Sequence, residues 1–164
     1  MHGKKILDDL LKDHSALREH LREWEAALHQ AEGPSYGQGR HALSVLRGLF
    51  RTFEHELPHH LREEETVLYG AVAYKLPHLR GLLSELRQEH DLFRHACAEF
   101  RREWLHSNAT GELRRLLPLG REVLRLLRRH LDREERQLHP IVLREFREED
   151  WRELCRLYVD SEVA

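Results

Sequence analysis

Two segments of this chain place a histidine and a glutamate four residues apart inside stripes that are otherwise apolar: His60-Leu-Arg-Glu-Glu64 and His130-Leu-Asp-Arg-Glu134. On a helix this spacing puts both side chains on one face, about 6 Å apart along the axis. A carboxylate buried in such a stripe forfeits several kcal/mol of solvation unless a cation or a proton neutralises it. A fold for this chain must therefore bring the two pairs to a shared, charge-compensated place in the core. That requirement marks them as a metal-site signal rather than surface decoration.

Apolar residues recur at intervals of three and four along the chain and alternation at two never persists, so the fold class is all-α. A first helix is predicted from about Lys4 to Glu32, ending in the loop Gly33-Pro34-Ser35-Tyr36-Gly37-Gln38-Gly39. A second runs from about Arg40 to Lys75, with a kink expected at Pro58, just before His60. Pro77 precedes a third, from about His78 to His106, and Ser107-Asn108-Ala109-Thr110-Gly111 forms the next turn, with Thr110 as candidate N-cap. A fourth spans about Glu112 to Arg144, with Pro118 and Pro140 as sites of bending or termination. Trp151, Leu154, Cys155 and Tyr158 make a short stripe suited to a fifth helix packed across the others. Long helices with short loops predict an up-down-up-down four-helix bundle, about residues 4–144, plus a short C-terminal helix, about 147–160, in one domain over 1–164.

The bundle is internally duplicated. Lys12-Asp13-His14-Ser15-Ala16-Leu17-Arg18 parallels Gln88-Glu89-His90-Asp91-Leu92-Phe93-Arg94, with an acid before each histidine and an arginine four residues after it. His14 shares a face with Leu7, Leu10, Leu11, Leu17 and Leu21, and His90 with Leu83, Leu86, Phe93 and Cys97. His60 lies with Phe53, Leu57, Val67 and Leu68, and His130 with Val123, Leu126, Leu127 and Leu138. All four imidazoles thus face the core, accompanied by Glu64 and Glu134. Nitrogen ligands favour iron or zinc over magnesium or calcium. Six ligands exceed what one tetrahedral zinc uses, so two ions bridged by Glu64 and Glu134, with two histidines each, fit the count. A bridging oxide or hydroxide would still leave each ion short of six ligands, with room for dioxygen, peroxide or nitric oxide.

The order His…His-x-x-x-Glu…His…His-x-x-x-Glu, with Glu-Glu-x-x-Leu-Tyr over Glu64 to Tyr69, resembles the bacterial hemerythrin-like HHE cation-binding domains, over about Leu10 to Ile141. The resemblance implies a non-haem di-iron centre, two iron ions rather than zinc or manganese, held by His14, His60, Glu64, His90, His130 and Glu134. Oxygen-carrying members have a further histidine four residues after the one in the third helix, where this chain has Arg94. His95 is turned about 140° from His90 and does not replace it. Without that histidine the set resembles the symmetric sites of hemerythrin-like sensors and of proteins that repair iron centres under nitrosative stress. A second departure is His139, where the family usually has an aromatic residue.

Composition narrows the function further. With 27 basic and 29 acidic residues, nothing drives general attraction to nucleic acid or anionic membrane. No apolar run is long enough for a membrane span. Cys97 and Cys155 are not in C-x-x-C spacing and Met1 to Leu11 lacks the apolar block of a signal peptide, so a reducing, cytoplasmic setting is expected. Glu56-x-x-His59 and Glu103-x-x-His106 match a ferritin-like spacing but fall off the shared face or beside Pro58, and are read as exposed, with Glu56 one turn from His60. His20, His29, His41, His55, His78 and His95 are read as surface or partly buried, Cys97 and Tyr69 as core, and Tyr74 with Tyr69 as residues along an access path. Three functions fit: a di-iron protein that engages a small ligand as sensor, store or stress-response protein; a redox enzyme acting on peroxide or nitric oxide, or supplying iron for repair; and a helical module with structural zinc that contacts a protein partner.

Overall fold

A computed structural model describes residues 2–32, 36–106 and 112–163. Among them every regular element is helical. Five rods account for the described residues: α1 (His2–Ala31); α2 (Tyr36–Glu63) continuing through a π-helical turn (Glu64–Leu68) into α3 (Tyr69–Lys75); α4 (Arg80–His106), entered by a 3-10 turn (Pro77–Leu79); α5 (Glu112–Arg133) continuing through a second π-helical turn (Glu134–Leu138) into α6 (His139–Glu145); and α7 (Glu148–Val163). α1 packs on α2 and α5, α4 packs on α5, and α7 lies against α1, the first π turn and α3.

The helix boundaries follow the sequence closely, and the differences have local causes. α2 begins at Tyr36, inside the stretch expected to be loop. The rest of that loop, and the turn at 107–111 with Thr110, lie outside the described residues. The α-helix runs on through Pro58, and the departure from α-helical spacing comes later, at Glu64–Leu68. Pro140 sits in the first turn of α6, directly after the second π turn, where the ladder is already interrupted and its missing N–H costs least. α7 is held at its start by the Arg147 backbone N–H donating to Asp150 at 2.9 Å, and Lys75 pairs with the same carboxylate at 2.9 Å, pinning α7 to the end of α3. Of the fifth-helix stripe, Leu154 is buried, and Trp151 and Tyr158 pack half-buried on the same core.

That core has two apolar halves. One gathers Leu17, Leu21 and Trp24 of α1 with Phe50, Phe53, Phe93, Phe100 and Leu127. The other gathers Leu7 and Leu10 of α1 with Val67, Leu68, Leu83, Leu86, Leu138 and Val142. In the first half the buried Trp24 indole donates to the Gly120 carbonyl at 3.0 Å. A Cβ on Gly120 would stand 2.8 Å from a Leu28 methyl, so glycine lets α5 approach α1 there. Between the halves four of the five rods, all but α7, contribute polar residues to one buried layer, and this layer is the site.

Candidate metal centre

His14, His60, Glu64, His90, His130 and Glu134 all converge in that layer, every one of them buried. The four imidazoles share one orientation, Nε2 inward and Nδ1 outward. His14 Nε2 lies 3.2 Å from Glu64 Oε1 and 3.3 Å from Glu134 Oε2. His60 Nε2 is 3.0 Å from Glu64 Oε1, His90 Nε2 is 3.3 Å from Glu64 Oε2, and His130 Nε2 is 3.4 Å from Glu134 Oε2. Glu64 therefore turns one oxygen toward His14 and His60 and the other toward His90 and His130 (3.8 Å). Two groups of candidate ligand atoms result, His14–His60–Glu64 and Glu64–His90–His130, joined by that carboxylate. Glu134 touches one histidine of each group.

The outward nitrogens each face a carboxylate on a neighbouring rod. Glu65 Oε1 meets His90 Nδ1 at 2.6 Å, Glu135 Oε1 meets His14 Nδ1 at 3.3 Å, Glu89 Oε2 meets His130 Nδ1 at 3.3 Å, and Asp13 Oδ2 stands 3.8 Å from His60 Nδ1. Arginines hold three of these acids in place: Arg94 on Glu65 at 2.8 Å, Arg18 on Glu135 at 3.0 Å, and Arg133 on Glu89 at 2.9 Å. The duplicated acid-histidine-arginine segments acquire a purpose here. In each, the acid faces the histidine of the adjacent His-x-x-x-Glu pair, and the arginine clamps the second acid of the opposite Glu-Glu. Sequence reasoning saw the duplication but not these contacts, which cross between rods. Arg94, at the position of the absent fifth histidine, is one of the clamps.

The π turns add two more side chains. Five residues on an α-helix is a rotation of about 140°, away from the starting face. Within a π turn the wider coil closes that angle, and the Tyr69 and His139 backbone N–H groups bond the Glu64 and Glu134 carbonyls. Tyr69 and His139 are thus brought round to the faces of Glu64 and Glu134. The expectation of Tyr69 as core packing is incomplete: it is buried, but its hydroxyl donates to Glu134 Oε1 and lies 3.5 Å from His90 Nε2. Tyr74 is exposed. His139 is buried beside His14. Among the residues read as peripheral, His29, His41, His55, His59, His78 and His95 are exposed and His20 is half-buried. Burial pushes the Cys97 thiol up to about 12, which keeps it an inert thiol at neutral pH.

Electrostatics explain how the metal-free layer survives. Burial disfavours charge on His14 and His60, yet nearby carboxylates outweigh it: Glu134 and Glu64 hold His14 up at about 9, and Glu64 with Asp13 holds His60 at about 10. His130 is raised by Glu134, Glu64 and Glu89 against the same burial. Reciprocally, burial is overcome at Glu64 by His60, His130 and His14, which keep it well below the usual carboxylate range. Glu134 is lowered as well, by His130 and His14 against both burial and Glu64. Protons on imidazoles neutralise the acids wherever no other cation does.

Residues 5–142 match the hemerythrin HHE cation-binding domain. The chain belongs to this family. No curated protein and no solved structure matches it. As an HHE cation-binding domain, its His/Glu layer has the makings of a metal site, and the orphan atoms agree. His60 Nε2, Glu64 Oε2 and Glu134 Oε2 are buried with no aligned hydrogen-bond partner. His90 Nε2 and His130 Nε2 lie 2.9 Å apart, while the Nδ1 atoms of both rings already face carboxylates. With His130 protonated, its Nε2–H donates to His90 Nε2, a proton that a bound cation would replace. A cavity of about 430 Å³, lined by Asp13, Leu17, Glu56, His59, His60 and Glu63, reaches the HHE layer from the surface between α1 and α2. No helix among the described residues is long and apolar enough to cross a membrane.

Proposed function

We propose that this chain is a non-haem di-iron protein that engages a small ligand (dioxygen, nitric oxide or peroxide) at a carboxylate-bridged centre, as a sensor, store or stress-response protein. The observation that carries this reading is the division of the Glu64 carboxylate between two histidine pairs, His14 with His60 and His90 with His130. A single tetrahedral zinc would need one such pair and leave the other buried without a cation. His14, His60, Glu64, His90, His130 and Glu134 are the proposed ligands, in a single hemerythrin-like domain whose four long rods run up-down-up-down with α7 as the added helix.

Bound iron would supply open coordination positions for the small ligand. The chain's own residues do the rest. Glu65, Glu89 and Glu135 fix the tautomer and tilt of His90, His130 and His14, and Asp13 stands beside His60 Nδ1. Tyr69 is the one phenol among the described residues with its hydroxyl in the layer, placed to donate a hydrogen bond there. The apolar halves on either side exclude water, which strengthens every interaction between them.

Metal analysis tests the reading. Protein loaded anaerobically with iron(II) and desalted is expected to hold about two iron per chain, with near-ultraviolet carboxylate-to-iron absorption after oxidation. Recovery with one zinc and no capacity for a second ion would overturn it. Incubation with nitric oxide or peroxide then separates reversible binding from turnover, the mark of the enzyme alternative.

A further inference from the structure

His139 stands apart from the other buried histidines of the layer. Its ring is buried at 2% exposure, and neither nitrogen has a hydrogen-bond or carboxylate partner among the described residues, whereas His60, whose nitrogens also lack an aligned hydrogen bond, faces Glu64 at 3.0 Å and Asp13 at 3.8 Å. An imidazole carries a donor and an acceptor, and leaving both unmet in an apolar interior is costly, on the order of 1–3 kcal/mol for each group. The family's usual aromatic residue at this place would avoid that cost entirely. Something is needed to compensate it.

The internal duplication indicates what that is. Tyr69 follows Glu64, and His139 follows Glu134, at the same spacing and across the same kind of π turn. The two rings occupy matching places: Tyr69 lies 5.7 Å from His90, inclined at 23°, and His139 lies 5.3 Å from His14, inclined at 31°. His14 and His90 are themselves the matching histidines of the two halves. Tyr69 is long enough for its hydroxyl to reach Glu134 and His90 directly. The shorter imidazole stops without touching a protein partner, beside His14 and so on the side of the layer that His14 and His60 occupy.

We propose that His139 is a fifth imidazole ligand, coordinating the ion held by His14 and His60, while the ion held by His90 and His130 meets the Tyr69 phenol instead. The two ion positions are thereby unequal, three imidazoles on one side against two imidazoles and a phenol on the other. The duplicated motif alone makes them alike. This assignment rests on the paired-ion reading above.

Stepwise titration of the metal-free protein with cobalt(II), whose visible bands report coordination, tests both. Wild-type protein is expected to bind two ions with different spectra and, labelled with ¹⁵N-histidine, to show hyperfine-shifted signals from His14, His60, His90, His130 and His139. His139→Phe restores the family's usual ring, so the metal-free variant should melt no lower than wild type. It should bind one ion about ten-fold or more weakly and the other unchanged. Binding of both ions within about two-fold of wild type, or shifted signals from only four histidines in the wild type, would overturn the assignment; the second result needs no variant to fold. Uptake of fewer than two ions would sink the paired-ion reading, while the His139→Phe comparison still decides this one.

Discussion

Removing metal should make the stability of this protein fall steeply with rising pH. In the metal-free layer, His14 is held at about 9 and His60 at about 10, against 6.5 for a free imidazole. Both groups bind their proton more tightly folded than unfolded, so their stabilisation is complete below about pH 6.5 and is lost as pH rises through 9 and 10. Each contributes about 1.4 kcal/mol per pH unit across that window, about 3 kcal/mol in total from His14 and about 5 from His60. Against a typical domain stability of roughly 5–15 kcal/mol, that loss is decisive. For a chain of this size, two such groups lower the melting temperature by roughly 5–10 °C per pH unit between pH 7 and 9. Bound metal takes the place of these protons, so the loaded protein should not show the fall, and the gap between loaded and chelated forms should widen with pH. Circular dichroism melts of both forms in matched buffers measure it. A chelated protein whose melting temperature is flat from pH 7 to 9.5 would refute the claim that protonated imidazoles hold the acids in place.

Metal uptake at pH 7 should release protons from His14, His60 and His130, which titration calorimetry in buffers of different ionisation enthalpy reads directly; uptake without proton release would contradict the charged layer. Glu64→Ala, which removes the carboxylate shared by both histidine pairs, should cut metal content well below two equivalents by elemental analysis; a variant that keeps two ions removes Glu64 from the ligand set. Glu89→Gln should weaken metal binding by about 10–100-fold with the fold retained in far-ultraviolet dichroism, because it loosens the tilt of His130 rather than deleting a ligand. Tyr69→Phe leaves Glu134 Oε1 without its donor in a dry interior and should cost the metal-free protein about 1–3 kcal/mol in urea denaturation; no loss would show that the phenol is not needed there.

How much of this was legible in one dimension depends on the range of the interaction. The helices, their apolar faces and the inward aim of His14, His60, Glu64, His90, His130 and Glu134 follow from a period of 3.6 residues, which is a local property of the backbone. The duplicated acid-histidine-arginine segments were visible too, but their roles were not, because Asp13 serves a histidine on another rod and Arg94 an acid on another. Tyr69 and His139 could not be placed at the layer from the sequence for a different reason. Regular α-helical arithmetic turns a residue five positions on away from the face, and only the π turns bring it back.

The amino-acid order by itself determined which side chains share a helical face and hence which six groups are candidate ligands. Only the tertiary structure decided how the helices lie against one another. It therefore decided that Glu64 divides its oxygens between two histidine pairs, that an outer carboxylate faces each imidazole, and that a tyrosine stands at one end of the layer and a histidine at the other. The reason is physical: periodicity is set by bonds within one segment, whereas a shared carboxylate exists only where separate segments meet.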